Sequence, residues 1–136
     1  MTVIRSADAR RTETPNGVMT TLASPTQGGA GIALWQSALR PGATGPRHAF
    51  DAEQVWTCLA GSASVELDGE RLAVAEGDTL VLPADLPRQM TAGPDGFTAV
   101  VTASAGTRAY NPVPAEADAC DLAPKGEERI VPLWVR

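Results

Sequence analysis

Apolar and polar positions alternate in short runs along most of the chain, and Gly, Pro and Asp interrupt them roughly every 8 to 12 residues, the spacing of short strands in an all-β fold. "GVMTTLA" follows the Asn16-Gly17 turn signal, and "GIALWQSAL" follows the loop "SPTQGGAG" and ends at Pro41-Gly42. "QVWTCLA" and "SASVELD" flank Gly61. Asp68-Gly69, between "SVEL" and "ERLAV", is the strongest hairpin signal, because a two-residue type I′ turn needs both central residues at positive φ. Glu76-Gly77-Asp78 reads as another turn, leading into "TLVLP". "PRQMTA" follows, and "GPDG" is expected to turn the chain into "FTAVVTA".

No helical period of useful length appears between residues 17 and 103. The pattern predicts an all-β domain, a sandwich or small antiparallel barrel. Residues 1–16 are expected to form an N-terminal arm, 17–103 the barrel, and 104–136 a Pro-rich extension. That extension has room for one short helix at 115–121 and ends in the apolar "RIVPLWVR". Such an end should dock, on its own barrel or on a partner subunit. "QGGAGIA" lacks both the Lys-Ser/Thr ending and the following helix of a phosphate loop, so it reads as a hairpin loop.

Composition narrows the function. The 136 residues make one domain, 43% hydrophobic and 20% charged, as in ordinary globular proteins. A net charge of −5 opposes binding to a nucleic-acid backbone, and Arg10-Arg11 reads as a solvated pair. No run is long enough to cross a bilayer, and the first residues lack the apolar core of a signal peptide, so a cytoplasmic location is expected. Cys58 and Cys120 form no CxxC and are expected to be free thiols.

Residues 41–90 carry two spaced motifs. Gly42, His48, Phe50, Gln54 and Gly61 fall at the spacing G-x5-H-x-H-x3-E-x6-G, and Gly77, Pro83, Asp85 and Arg88 at G-x5-P-x-G-x2-H. The run resembles the cupin superfamily of small jelly-roll β-barrels, and the resemblance implies a cupin-like antiparallel barrel and a homodimer. The family's metal is typically held by three histidines and a carboxylate. Here the first position keeps His48, the chain's one histidine, while Phe50, Gln54 and Arg88 stand at the others. Phenylalanine has no lone pair, and a guanidinium is a cation with no acceptor. A chain with one histidine cannot build a multi-His site either, so no metal and no other cofactor is expected. His48 with Glu53 and Cys58 is a conceivable set, but alternation turns Glu53 outward if Gln54 faces in.

Alternation from Gln54 also sends Trp56 and Cys58 inward, and Arg88 sends Met90 inward on the facing strand. With His48 and Phe50 this makes an apolar, aromatic cavity holding a few polar groups, a composition suited to a small planar ligand. Each residue also has a plainer reading. Phe50, Trp56 and Met90 are ordinary core residues taken singly, Cys58 is a small buried hydrophobe, and Arg88 is a salt-bridge partner for Asp51 or Glu53.

Three functions stay open. In the first, His48 and Arg88 form a metal-independent acid/base pair: a neighbouring Arg favours the neutral, basic imidazole, and Arg88 with Gln54 holds an oxyanion during isomerisation, cyclisation or elimination. In the second, the barrel binds or senses a metabolite without turnover, and His48 only donates a hydrogen bond. The third is a metal-dependent oxygenase with an atypical site.

Overall fold

The computed structural model describes residues 1–112 and 124–136. A single 3-10 turn, Ser6–Asp8, precedes β1 (Arg10–Thr14), β2 (Gly17–Ala23), β3 (Ile32–Leu39), β4 (Ala49–Phe50), β5 (Gln54–Leu67), β6 (Glu70–Ala75), β7 (Thr79–Leu82), β8 (Arg88–Ser104), β9 (Ala109–Tyr110) and β10 (Arg129–Ile130). One sheet runs β1-β2-β3-β8-β5-β6, with β7 also on β5, and a smaller one runs β10-β9-β4. These ladders are antiparallel, and of the sandwich or barrel that the pattern allows they make the jelly-roll barrel that the motif resemblance implies.

Local chemistry explains the joints. Asp68 and Gly69 take φ of 49° and 82° and turn β5 into β6 with Leu67 opposite Glu70, as a type I′ hairpin requires. Gly61 and "GPDG" behave differently. They bend strands instead of ending them, so β5 and β8 each run through as one long strand. Gly61 (φ 76°) crosses against Gly96 (φ 82°), and a Cβ on Gly61 would lie 2.0 Å from the Gly96 carbonyl oxygen. Register shifts around Gly61 absorb the extra residues, as in a bulge. Before the bend β5 pairs Gln54 with Ala103 and Cys58 with Ala99; after it, Val65 pairs with Met90 and Leu67 with Arg88. The sheet thereby folds over, and its inner face encloses a cavity.

Two apolar clusters fill the interior. Cys58, Val65, Val74, Leu82 and Phe97 belong to one. The other holds Ala33, Trp35, Val101, Ala103 and Val135, with Val131 and Trp134 packed against it. The apolar C-terminal end thus docks on its own barrel. Thr21 Oγ1 donates to the Trp134 carbonyl at 2.9 Å and Ser24 Oγ to the Arg136 carbonyl at 2.6 Å.

Several expectations change. Residues 10–14, read as part of an arm, form the edge strand beside β2. Of the pair read as solvated, Arg11 is exposed and Arg10 is half-buried: its guanidinium donates to Thr26 Oγ1 at 3.0 Å and to the Arg136 carbonyl at 2.9 Å. The helix expected at 115–121 and Cys120 lie outside the described residues.

Candidate functional site

His48 and Arg88 exchange backbone hydrogen bonds, His48 N to Arg88 O at 3.0 Å and Arg88 N to His48 O at 2.9 Å. Residues paired this way in an antiparallel bridge project their side chains from the same face, with Cα atoms about 5.5 Å apart. Phe50, two residues beyond His48, shares that face. Its ring centroid lies 4.9 Å from that of His48 and 4.5 Å from the Arg88 guanidinium carbon. Phe50 therefore acts as a cation-π platform for Arg88. The bridge returns from Asp85, whose φ of 64° is the left-handed conformation for which the second motif uses glycine. Asp85 N donates to the Phe50 carbonyl at 2.8 Å, and its carboxylate accepts from Tyr110 Oη at 2.8 Å.

Arg88 is 3% exposed, and neither terminal guanidinium nitrogen has a hydrogen-bond partner among the described residues. Burial pulls its pKa down to about 10, so it stays cationic at neutral pH. The expected salt bridge to Asp51 or Glu53 does not form. Asp51 is taken by Arg108, whose Nε lies 2.9 Å from its carboxylate, and Glu53 points to solvent.

Gln54 opens β5 fully buried. Its Oε1 accepts from Trp56 Nε1 at 3.1 Å, and the donor Nε2 is buried without a partner among the described residues. Both Gln54 and Arg88 line one cavity of about 110 Å³, and so do His48, Phe50, Trp56 and Met90. The floor follows from register. Trp35 on β3 stands opposite Val101 on β8, which stands opposite Trp56 on β5, so one row of side chains crosses three strands. Trp134, from the docked C-terminal end, closes another wall, so all three tryptophans of the chain face the same space. Trp56 is backed by Phe97, stacked with ring centroids 6.3 Å apart.

Cys58 is the exception among the expected lining residues. It faces inward but sits two residues further along β5, packed in the cluster with Phe97, and does not reach the cavity. Its Sγ points back to the Ala60 and Gly61 carbonyls at the bend, 3.5 and 3.6 Å away. Burial raises its pKa, which favours the protonated thiol over the nucleophilic thiolate. His48 is half-buried, and its Nδ1 lies 2.8 Å from the Pro46 carbonyl, which selects the Nδ1–H form.

Trp35, Ser37 and Trp134 line the cavity without having been singled out from the sequence. A signal for the first two existed. Alternation in "GIALWQSAL" puts Ala33, Trp35, Ser37 and Leu39 on one face, with a serine among apolar neighbours.

The donor set does not suit a resident metal ion. Phe50 presents carbon, Arg88 presents a buried cation, and no group of three or more His, Cys, Asp or Glu among the described residues could hold an ion.

The family model for a cupin domain matches residues 35–103, about half of the chain. No curated protein matches. The fold is similar to an RmlC-like cupin from Shewanella frigidimarina (19% identity, 76% of this chain and 90% of that one, TM-score 0.66). It is also similar to the polyketide cyclase RemF of Streptomyces resistomycificus (18% identity, 88% of each chain, TM-score 0.71). Oxalate decarboxylase of Bacillus subtilis is a third neighbour (21% identity, TM-score 0.65), with 72% of this chain aligned to 28% of that one.

Proposed function

The chain belongs to the cupin family, and from that premise we propose that its barrel binds a small, planar organic anion or carbonyl compound without a metal. One observation carries this reading: an apolar cavity walled by tryptophans holds the terminal nitrogens of Arg88 and the Nε2 of Gln54, none of which has a hydrogen-bond partner among the described residues. These positions are the ones at which the family's metal ligands converge. Here they present hydrogen-bond donors, which match an oxyanion and repel a cation. Burial pulls the Arg88 pKa from the ordinary guanidinium range down to about 10, which corresponds to roughly 3 kcal/mol of penalty. A ligand oxygen on the guanidinium offsets that penalty, and the tryptophans supply a stacking surface.

Within this reading His48 is the proton-transfer group. Its Nδ1 is held by the Pro46 carbonyl, which fixes the ring in the cavity wall. The base takes a proton from carbon next to a carbonyl, the electron pair moves onto oxygen, and Arg88 and Gln54 stabilise the enolate. Isomerisation, cyclisation and elimination all follow from that intermediate. The polyketide cyclase on the same fold supports a carbonyl-rich substrate. The test pairs two variants. His48→Ala should keep ligand binding, measured by calorimetry, and lose turnover, whereas Arg88→Met should lose both.

A non-enzymatic metabolite binder is the second reading, favoured by the Nδ1 contact to Pro46, which gives His48 a structural task. Under it no ligand is turned over by the wild type. We further take the protein to be a cytoplasmic homodimer that binds neither nucleic acid nor membrane. Light scattering checks the dimer, whose support is the family resemblance, since the C-terminal end is seated on its own barrel.

A further inference from the structure

Ser37 is fully buried, and its Oγ has no hydrogen-bond partner among the described residues. It faces the cavity from β3, two residues beyond Trp35. Its place relative to the donors already described follows from register. Ser37 stands opposite Ala99, which stands opposite Cys58, while Gln54 stands opposite Ala103, which stands opposite Ala33. Ala33 and Ser37 are four residues apart, about 13 Å along the strand. The Trp35–Val101–Trp56 row lies between them.

A hydroxyl buried without a partner is unfavourable, and alanine at this place would avoid the penalty. An apolar ligand would leave Ser37 unpaired as well. A ligand with a second polar atom, at the end away from its anionic group, would satisfy it. Arg88 sharpens the other end: two unpartnered terminal nitrogens form the planar fork that grips a carboxylate through both oxygens. The Gln54 and Ser37 backbones are thus about 13 Å apart along the strands and two strand spacings apart across the sheet, and once both side chains and a hydrogen bond of about 3 Å at each end are subtracted, one or two fused rings span the remainder.

We propose that Ser37 is a specificity-determining residue, hydrogen-bonding a hydroxyl or carbonyl group at the far end of an aromatic carboxylate held by Arg88 and Gln54. The proposal rests on the anion-binding reading of the same cavity. It assigns the ligand a class, a flat aromatic acid polar at both ends, with its rings between Trp35 and Trp56.

Calorimetric titration with 6-hydroxy-2-naphthoate, 2-naphthoate and 2-naphthol separates the two ideas. The wild type should bind the hydroxynaphthoate about tenfold more tightly than 2-naphthoate, the value of one hydrogen bond that would otherwise be left unmade. In Ser37→Ala that preference should vanish, with 2-naphthoate affinity changed by no more than about twofold. Equal affinity of the wild type for the two acids, or a preference that survives in Ser37→Ala, overturns the role of Ser37 and leaves the anion site intact. Failure of both naphthoates to bind, or 2-naphthol binding as tightly as 2-naphthoate, overturns the anion site and the proposal together. The comparison of the two acids on the wild type does not depend on how any variant folds.

Discussion

Arg88 carries opposite consequences for folding and for binding, and a single substitution separates them. A buried cation whose terminal nitrogens have no hydrogen-bond partner among the described residues destabilises the ligand-free protein, so Arg88→Met, apolar and of similar length, should raise its stability by about 1–3 kcal/mol. The same variant should bind an aromatic carboxylate at least about 100-fold more weakly, because a charge-assisted pair is lost. Urea unfolding and calorimetry on one sample pair measure both. The pH dependence has a definite sign. The folded-state pKa of Arg88, about 10, is well below the ordinary guanidinium range, so the burial penalty is present in full below pH 10 and is relieved as the pH rises beyond it towards that range. Binding runs the other way, since it needs the charge. Affinity for a carboxylate should be flat from about pH 6 to 9 and fall above about pH 10.

The two long strands make the cavity by bending, and the bend depends on two glycines. Gly61→Ala would drive a Cβ into the Gly96 carbonyl, 2.0 Å away, at a φ that alanine avoids. The expected loss exceeds about 3 kcal/mol, against about 1–2 kcal/mol for Gly42→Ala, where φ is also positive but nothing lies within 4 Å. Thermal unfolding of the two variants tests this. The same bend shows what a sequence pattern conveys and what it withholds. Asp68-Gly69 was legible as a hairpin because a two-residue loop between alternating runs has one common solution. Gly61 and "GPDG" were legible as breaks, yet a bend inside a strand and a turn between strands call for the same positive-φ glycines. The site was legible where it depended on motif spacing, at His48, Phe50, Gln54 and Arg88. It was not legible where it depended on pairing across the chain: Asp51 looks available to Arg88 until Arg108, 57 residues away, is brought onto it by the β4–β9 ladder. Cys58 obeyed alternation and still missed the cavity, because alternation gives the face of a strand but not the depth along it.

At the scale of the whole molecule, the cavity joins parts that are distant in sequence: β3, the start of β5, the bridge at His48 and Arg88, and the docked residues Ile130, Pro132 and Trp134. Anything bound there contacts the barrel and its C-terminal end at once and must stabilise the folded chain by linkage. At 100 times its dissociation constant a ligand adds about 2.7 kcal/mol, which for a domain of this size shifts the melting temperature by roughly 5–10 °C. That shift should appear with an aromatic carboxylate and be absent in Arg88→Met. Chelation provides the contrasting experiment. With Phe50 and Arg88 standing where the family places ligands, no ion should contribute to the fold, and EDTA should leave the melting temperature unchanged. A drop of several degrees on chelation, restored by one divalent metal, would mean that a cation is held through His48 and Gln54 after all. The two measurements discriminate because a resident ion and a carboxylate would compete for the same space with opposite demands on charge. A protein stabilised by both would contradict the assignment of Arg88 as the anion's partner.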